Sequence, residues 1–155
     1  MSAAAVCLGT PYRGDDGAGP LVADRLRADG IRLLECDHEP TRLLDQWAGL
    51  DLVVIVDAIR SGAPAGTVRR IETDEEPLPR DLGLASSHAF GVADALELAQ
   101  ALGRAPRRVI VYGIEGAAFG MGDPMTAAVT AAATTVAQAA RDEIRAVEAL
   151  CTRST

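Results

Sequence analysis

Two adjacent carboxylates, Asp15 and Asp16, stand in a glycine-rich turn (residues 13–19) between an apolar run and a segment of helical period. Turns of this kind normally expose backbone N–H groups and the positive end of a helix dipole, so they attract anions. Here the turn carries its own anions. One carboxylate is expected to cap the following helix, where the dipole contributes about 0.3–1 kcal/mol. The other is expected to face the crevice at the end of the strand, where a metal ion or a proton suits it better than a nucleotide.

Two further candidates, Asp57 and His88, stand where open α/β sheets bind ligands, beyond the carboxyl ends of strands. Asp57 closes an apolar run, and a buried carboxylate there is costly unless it is paired, hydrogen-bonded or metal-bound; the alternative is a cap or turn residue. His88 opens a helix, whose positive end favours neutral imidazole, although a surface or capping histidine is the commoner case. Two carboxylates and one imidazole would suit nickel or zinc with open coordination positions.

Other catalytic patterns are missing from the sequence. It contains no G-x-S-x-G, no H-E-x-x-H, no phosphate-binding lysine loop and no C-x-x-C. Serine hydrolysis is disfavoured because Ser61, Ser86 and Ser87 have no evident histidine partner apart from His88. The run Cys36-Asp37-His38 is interpreted as a turn with a buried thiol, and the alternative is a further polar contact to the same crevice.

Short apolar runs alternate with helical segments along the chain, which predicts an α/β fold. Residues 52–56, within a predicted strand of residues 52–58, and residues 109–112 are apolar on both faces and rich in β-branched residues, as expected for central strands of a mostly parallel sheet. The other predicted strands are residues 3–8, 31–36 and 67–72. The predicted helices are residues 19–28, 42–48, 88–102 and 126–150. We therefore expect a single three-layer domain over residues 1–155, with a twisted sheet of about five strands and helices on both faces.

The composition limits the class of partner. The net charge of −7, the aromatic content of 3% and the absence of a basic cluster beyond Arg107-Arg108 argue against nucleic acid. The longest uncharged run, residues 124–140, is too short and too rich in Ala and Thr to span a bilayer, so no membrane association is expected. Three widely spaced cysteines, Cys7, Cys36 and Cys151, indicate reduced thiols in a cytoplasmic protein.

Several motifs resemble, in the same order, those of the hydrogenase maturation proteases, which remove a C-terminal extension from the large subunit of nickel–iron hydrogenases. Residues 6–20 resemble the opening motif of the family, residues 54–58 its central strand and residues 86–91 its histidine motif. Residues 112–116 and 122–124 resemble its last strand, loop and helix start. The resemblance covers nearly the whole chain, and the order of the motifs makes it specific.

The resemblance implies that Asp16, Asp57 and His88 contact nickel, which the precursor of the large subunit carries as part of the substrate. The implied activity is that of a metal-dependent processing endopeptidase of the aspartyl or metallo type, in which one of these groups or the ion activates water. Its partner is the hydrogenase large-subunit precursor, and we expect a monomer. Two alternatives remain: a metallohydrolase that holds its own zinc, and a non-catalytic module that senses or escorts nickel.

Two positions depart from the family pattern. Thr10 stands where an asparagine is common, which keeps a hydroxyl but loses an amide. The run Cys36-Asp37-His38 stands where Gly-Gly-Thr is often found, and its bulkier side chains would narrow the groove or add a ligand. Both departures bear on substrate docking more than on the three predicted metal contacts.

Overall fold

The computed structural model describes residues 2–36, 40–74 and 87–153, without the side chains of residues 40, 87–91 and 151. The strands in these ranges are β1 (Ala3–Cys7), β2 (Leu52–Ile59), β3 (Val68–Glu72) and β4 (Arg108–Glu115). The helices are α1 (Ala18–Ala28), α2 (Leu43–Trp47), α3 (Ser87–Ala101) and α4 (Ala127–Thr152). Two short 3₁₀ turns are Gly14–Gly17, called the acidic turn below, and Pro40–Arg42.

The four strands form one sheet in the order β1-β2-β4-β3, in which β3 runs antiparallel to β4 and the other pairs are parallel. The prediction of an α/β fold with a mostly parallel sheet is therefore confirmed. Strands β2 and β4 lie in the middle, and every residue of β2 is buried. This position explains why both strands are apolar on both faces.

The segment predicted as a further strand, residues 31–36, is not a strand. Leu33 makes an isolated parallel bridge to Ala5, and two backbone hydrogen bonds support it. Beyond this bridge the segment leaves the sheet, because the backbone N–H and carbonyl of Glu35 bond to the side chain of Gln46 instead. The expected count of about five strands is thus one too high for the described residues. Because Ala5 pairs with Val54 on its other side, the chain order reverses between β1 and β2.

Side chains of the sheet alternate between two cores, one on each face. In β2, Leu52, Val54 and Val56 pack with α1 and α4. Val53 and Ile55 point the other way and pack with α2 and α3. The predicted three layers, with helices on both faces of the sheet, are therefore confirmed. None of the described helices combines the length and the apolar character needed to span a bilayer.

The start of α1 packs directly on the backbone at the end of β1. A Cβ atom at Gly19 would lie 1.9 Å from the carbonyl oxygen of Leu8. Gly9 has a φ of +131°, and a Cβ there would lie 2.1 Å from the carbonyl oxygen of Asp16. Two glycines therefore allow the acidic turn to fold back onto the end of the strand.

We expect Gly19→Ala to destabilise the protein by about 3 kcal/mol. The new Cβ would clash with the backbone carbonyl of Leu8, which cannot rotate away as a side chain could. Urea unfolding measures the change. Gly30→Ala is the control, since a Cβ there meets nothing within 4 Å and only its φ of +76° opposes the change, at about 1–2 kcal/mol. At a helical position with free space, alanine stabilises a helix relative to glycine. If Gly19→Ala left the stability unchanged or raised it, the close packing of Gly19 on Leu8 would be contradicted.

Candidate active site

The acidic turn points both of its carboxylates into the protein: Asp15 is 0% and Asp16 1% exposed. The predicted cap is wrong, because Gly17 is the N-cap of α1 and no side chain bonds there. The 3₁₀ geometry of the turn instead aims the two carboxylates at other segments of the chain. Each has its own set of partners.

Asp15 holds the loop between β4 and α4, residues 116–126, which we call the β4–α4 loop. Its Oδ2 accepts the N–H groups of Ala117 at 2.8 Å and Ala118 at 2.9 Å, together with the hydroxyl of Thr126. Its Oδ1 accepts the N–H of Thr126 at 2.7 Å. Burial alone would raise the pKa of Asp15, but these hydrogen bonds to the ionised form lower that pKa below its ordinary value. Asp15 is thus a structural carboxylate, a role that the sequence did not reveal.

Asp16 is the carboxylate that remains available for chemistry. Its Oδ2 accepts the N–H of Thr10 at 2.9 Å and lies 3.8 Å from a guanidinium nitrogen of Arg13. Its Oδ1 is buried and accepts no hydrogen bond from any described group. A buried carboxylate oxygen needs a partner, so Oδ1 suits a proton, a metal ion or a donor from a substrate. Because the backbone of Thr10 makes the contact, the departure from asparagine at this position leaves it intact.

Asp57 is fully buried inside β2. The strand continues to Ile59, so Asp57 does not close it as predicted. Its Oδ1 accepts the N–H of Ala58 at 2.8 Å. By the alternation of side chains along a strand, Asp57 lies on the same face as Ile55, the face that α2 and α3 cover.

The topology brings Asp16 and Asp57 to one edge of the sheet. The N–H of Leu8, just after β1, donates to the carbonyl of Val56 at 2.8 Å, and the acidic turn contacts β2. Chain order reverses between these two strands, and open α/β sheets bind ligands at that point. Two of the three predicted site residues therefore belong to neighbouring segments at one edge of the sheet.

His88 is the second residue of α3, and its side chain lies outside the described part of the structure. Helix α3 is about 22 Å long and packs on the face that carries Asp57. A short connection, residues 102–107, joins its end to the start of β4, so its beginning lies toward the carboxyl edge of the sheet. Among the described side chains, no three His, Cys, Asp or Glu groups come close enough to hold a metal ion. The complete trio with His88 stays a prediction.

Cys7 and Cys36 form no disulfide within the described part of the chain, and both are partly exposed, although the sequence predicted buried thiols. Burial raises the pKa of Cys7 to about 12, with a lowering contribution from Arg27 and a raising one from Asp57, so this thiol stays protonated. Cys36 is half-buried, whereas Asp37 and His38 lie outside the described residues. The second interpretation of that run, as an additional polar contact, therefore remains a prediction.

A further buried carboxylate, Glu115 at the end of β4, was not identified as a site residue from the sequence. It is 1% exposed, and its Oε1 accepts the N–H groups of Ser61 and Gly62, both at 2.9 Å. Its Oε2 accepts the hydroxyl of Ser61 at 2.7 Å. Glu115 thereby fixes the turn between β2 and β3. The signal was available, because Glu115 ends an apolar run as Asp57 does.

An open cleft of about 540 Å³ lies between this turn and the β4–α4 loop. Arg60 lines it from the turn after β2 and Phe119 from the β4–α4 loop, and the guanidinium carbon lies 3.9 Å from the centre of the ring. The cleft lies beyond the ends of β2 and β4, at the same edge of the sheet as Asp57. Arg13 donates from Nε to the carbonyl of Phe119 at 3.0 Å, which connects the wall of the cleft to Asp16.

Known proteins share both sequence and fold with this chain. A family model described as hydrogenase maturation protease matches residues 22–143, a range that includes Asp57 and His88 and begins after Asp16. The hydrogenase expression/formation protein HupD of Thiocapsa roseopersicina is 32% identical over 108 residues, which are 65% of this chain and 48% of HupD. HupM of Azotobacter chroococcum mcd 1 is 30% identical over 66% of this chain and 52% of its own length. The chain spans about half the length of the curated relatives it matches.

Solved structures extend the likeness to nearly the whole chain. The NiFe hydrogenase maturation protease HybD from Thermococcus kodakarensis superposes with a TM-score of 0.78 at 26% identity, over 93% of this chain and 99% of that one. The hydrogenase maturating endopeptidase HybD from E. coli gives a TM-score of 0.74 at 22% identity, over 95% and 91% of the two chains. The second likeness, at its lower identity, shows the shared fold alone.

Proposed function

We propose that this chain, which belongs to the hydrogenase maturation protease family, is an endopeptidase that removes the C-terminal extension of a hydrogenase large-subunit precursor. The family match confirms the resemblance that the motifs indicated. The observation that carries the proposal is the buried Oδ1 of Asp16, which no described group satisfies, at the edge of the sheet that also holds Asp57. A buried carboxylate oxygen without a described hydrogen bond is suited to a ligand that arrives with the substrate.

Nickel belongs to the substrate in this proposal, and Asp16, Asp57 and His88 are the residues that would contact it. The donor types fit, because carboxylate oxygen and imidazole nitrogen suit a borderline divalent ion. Oδ1 of Asp16 also suits an ion, because it accepts no hydrogen bond from a described group that would compete with the ion. When present, the ion would supply positive charge that polarises the peptide carbonyl or the attacking water.

The carboxylates themselves would handle the proton. The Thr10 N–H and the Arg13 guanidinium orient Oδ2 of Asp16, whose Oδ1 accepts no hydrogen bond from a described group. With one oxygen anchored and the other without a described donor, Asp16 can accept a proton from water as it attacks the carbonyl, and then deliver that proton to the leaving amine. Asp57, whose Oδ1 accepts the N–H of Ala58, is the second carboxylate that can take this role.

The proposal is tested by incubating the purified protein with a nickel-loaded precursor and, separately, with the nickel-free precursor. Mass spectrometry of the precursor C-terminus reads cleavage. We expect the loaded precursor alone to lose its extension, because the metal completes the contacts of the site. Cleavage of both forms would contradict the role of nickel.

Two further measurements, binding of the precursor and the zinc content of the purified protein, separate the alternatives. Binding of the loaded precursor without cleavage would favour the escort module, and stoichiometric zinc in the purified protein would favour the metallohydrolase. We further propose that the protein acts as a monomer in the cytoplasm, where thiols such as Cys7 and Cys36 stay reduced. Light scattering of the purified protein tests the monomer.

A further inference from the structure

We infer that the cleft beside Arg60 is a substrate subsite that binds an acidic side chain of the precursor, in the segment around the scissile bond. The inference rests on the proposed function, because it assigns the cleft to the same protein substrate. It adds a specificity-determining residue, Arg60, that lies outside the predicted trio.

The position of the cleft supports this role. Arg60 directly follows β2, three residues after Asp57, and Gly116 directly follows β4 on the opposite wall. The β4–α4 loop that forms this wall is bonded to the acidic turn through Asp15 and touches Arg13 through Phe119. A peptide bound at Asp16 and Asp57 can therefore continue into the cleft without leaving the carboxyl edge of the sheet.

Arg60 is available for a carboxylate. No described carboxylate lies within 4.0 Å of its guanidinium nitrogens. The buried Glu115 lines the cleft, but its oxygens already accept the N–H groups of Ser61 and Gly62 and the hydroxyl of Ser61. Stacking on Phe119 orients the planar guanidinium and leaves its N–H edge exposed to a ligand, which is the geometry that arginine uses to bind a carboxylate.

Four backbone donors of this wall are already used, which favours recognition by a side chain. The N–H of Gly116 donates to the carbonyl of Ile59 at 3.0 Å, and that of Gly120 donates to Asp123 at 2.9 Å. Ala117 and Ala118 donate to Asp15. Arg60 is the positively charged side chain among the described lining residues, and the rest of the lining is mostly small or apolar. Because the cleft is open to the surface, it admits a chain that passes through it.

The test compares Arg60→Glu and Arg60→Gln with the wild-type protein, using nickel-loaded precursor. We expect Arg60→Glu to raise KM by about tenfold or more with kcat within about twofold of wild type, because the contact contributes to binding and not to the reacting atoms. Arg60→Gln should have a smaller effect of the same kind. In the precursor, the acidic residues around the scissile bond are replaced by lysine, one at a time. One of these precursor variants should be cleaved efficiently by the Arg60→Glu protein, because the two charges are exchanged. Arg153→Glu is the matched control, since this exposed arginine lies beyond the far end of α4, about 39 Å along the helix.

Binding of the loaded precursor, measured by interferometry, separates this inference from the proposed function. Wild-type protein that binds without cleaving contradicts the protease, while a loss of affinity specific to Arg60→Glu still supports the subsite. Equal affinity and equal KM for wild type, Arg60→Glu and Arg153→Glu would overturn the subsite and leave the protease intact. Urea unfolding of each variant confirms that it is folded. A wild-type protein that neither binds nor cleaves contradicts both.

Discussion

Asp57→Asn is expected to reduce processing of the nickel-loaded precursor by about 10²–10⁴-fold while the protein remains folded. Asparagine has the shape of aspartate, and its carbonyl oxygen can still accept the N–H of Ala58. The substitution removes the negative charge and places an amide nitrogen where a second oxygen stood. It therefore removes a metal contact or a proton acceptor without opening a cavity.

Two measurements decide the role of Asp57: the rate of C-terminal cleavage by mass spectrometry, and the free energy of unfolding in urea. Asp24→Asn is the control, because this carboxylate is exposed on α1 and pairs with Arg27 at the surface. It should process the precursor at the wild-type rate. Processing at that rate by Asp57→Asn as well would remove Asp57 from the mechanism.

Asp15→Asn is expected to destabilise the protein by about 3–5 kcal/mol, which would make it the largest stability effect in the acidic turn. Asp15 accepts hydrogen bonds from three backbone N–H groups, those of Ala117, Ala118 and Thr126, and from the Thr126 hydroxyl. The side-chain NH₂ of the new asparagine can only donate, and it would face at least one group that also donates. At least one buried N–H or hydroxyl would therefore lose its acceptor. The β4–α4 loop and the start of α4 would then separate from the acidic turn.

The pH dependence of this effect has a defined sign. The folded pKa of Asp15 is lower than that of an unfolded aspartate, whose ordinary value is about 3.9. The unfolded state therefore binds the proton more readily, and the stabilisation is complete above that ordinary pKa and declines as the pH falls through the lower folded pKa. The stability difference between wild type and Asp15→Asn should be full at pH 7 and shrink below about pH 4.

Urea unfolding at a series of pH values measures this difference. Asp16→Asn is the control within the same turn, since Asp16 is equally buried but accepts one described N–H, that of Thr10. Its loss of stability should be clearly smaller than that of Asp15→Asn. Equal destabilisation by the two substitutions would show that Asp15 does not have the structural role assigned to it.

Much of the fold could be predicted from local pattern. The runs that became β2 and β4 are apolar on both faces, and only strands covered on both sides bury such residues completely. Residues 31–36 show the limit of the same reasoning. Their apolar residues pack in the core, but the Glu35 backbone bonds to Gln46 and the segment leaves the sheet after one bridge. The side chain of Gln46, which belongs to α2, draws the segment away from the sheet. The sequence pattern of residues 31–36 alone does not indicate this contact.

From the sequence alone follow the α/β class and the prediction of Asp16 and Asp57 as candidate site residues, because strand periodicity and turn chemistry are local properties. Tertiary structure alone assigned different tasks to the two neighbouring carboxylates. The donors that engage Asp15 come from Ala117, Ala118 and Thr126, about a hundred residues away, whereas Asp16 keeps one oxygen open. Adjacent aspartates are equivalent in sequence, and they become different only when a distant loop folds onto one of them and leaves an oxygen of the other without a described hydrogen bond.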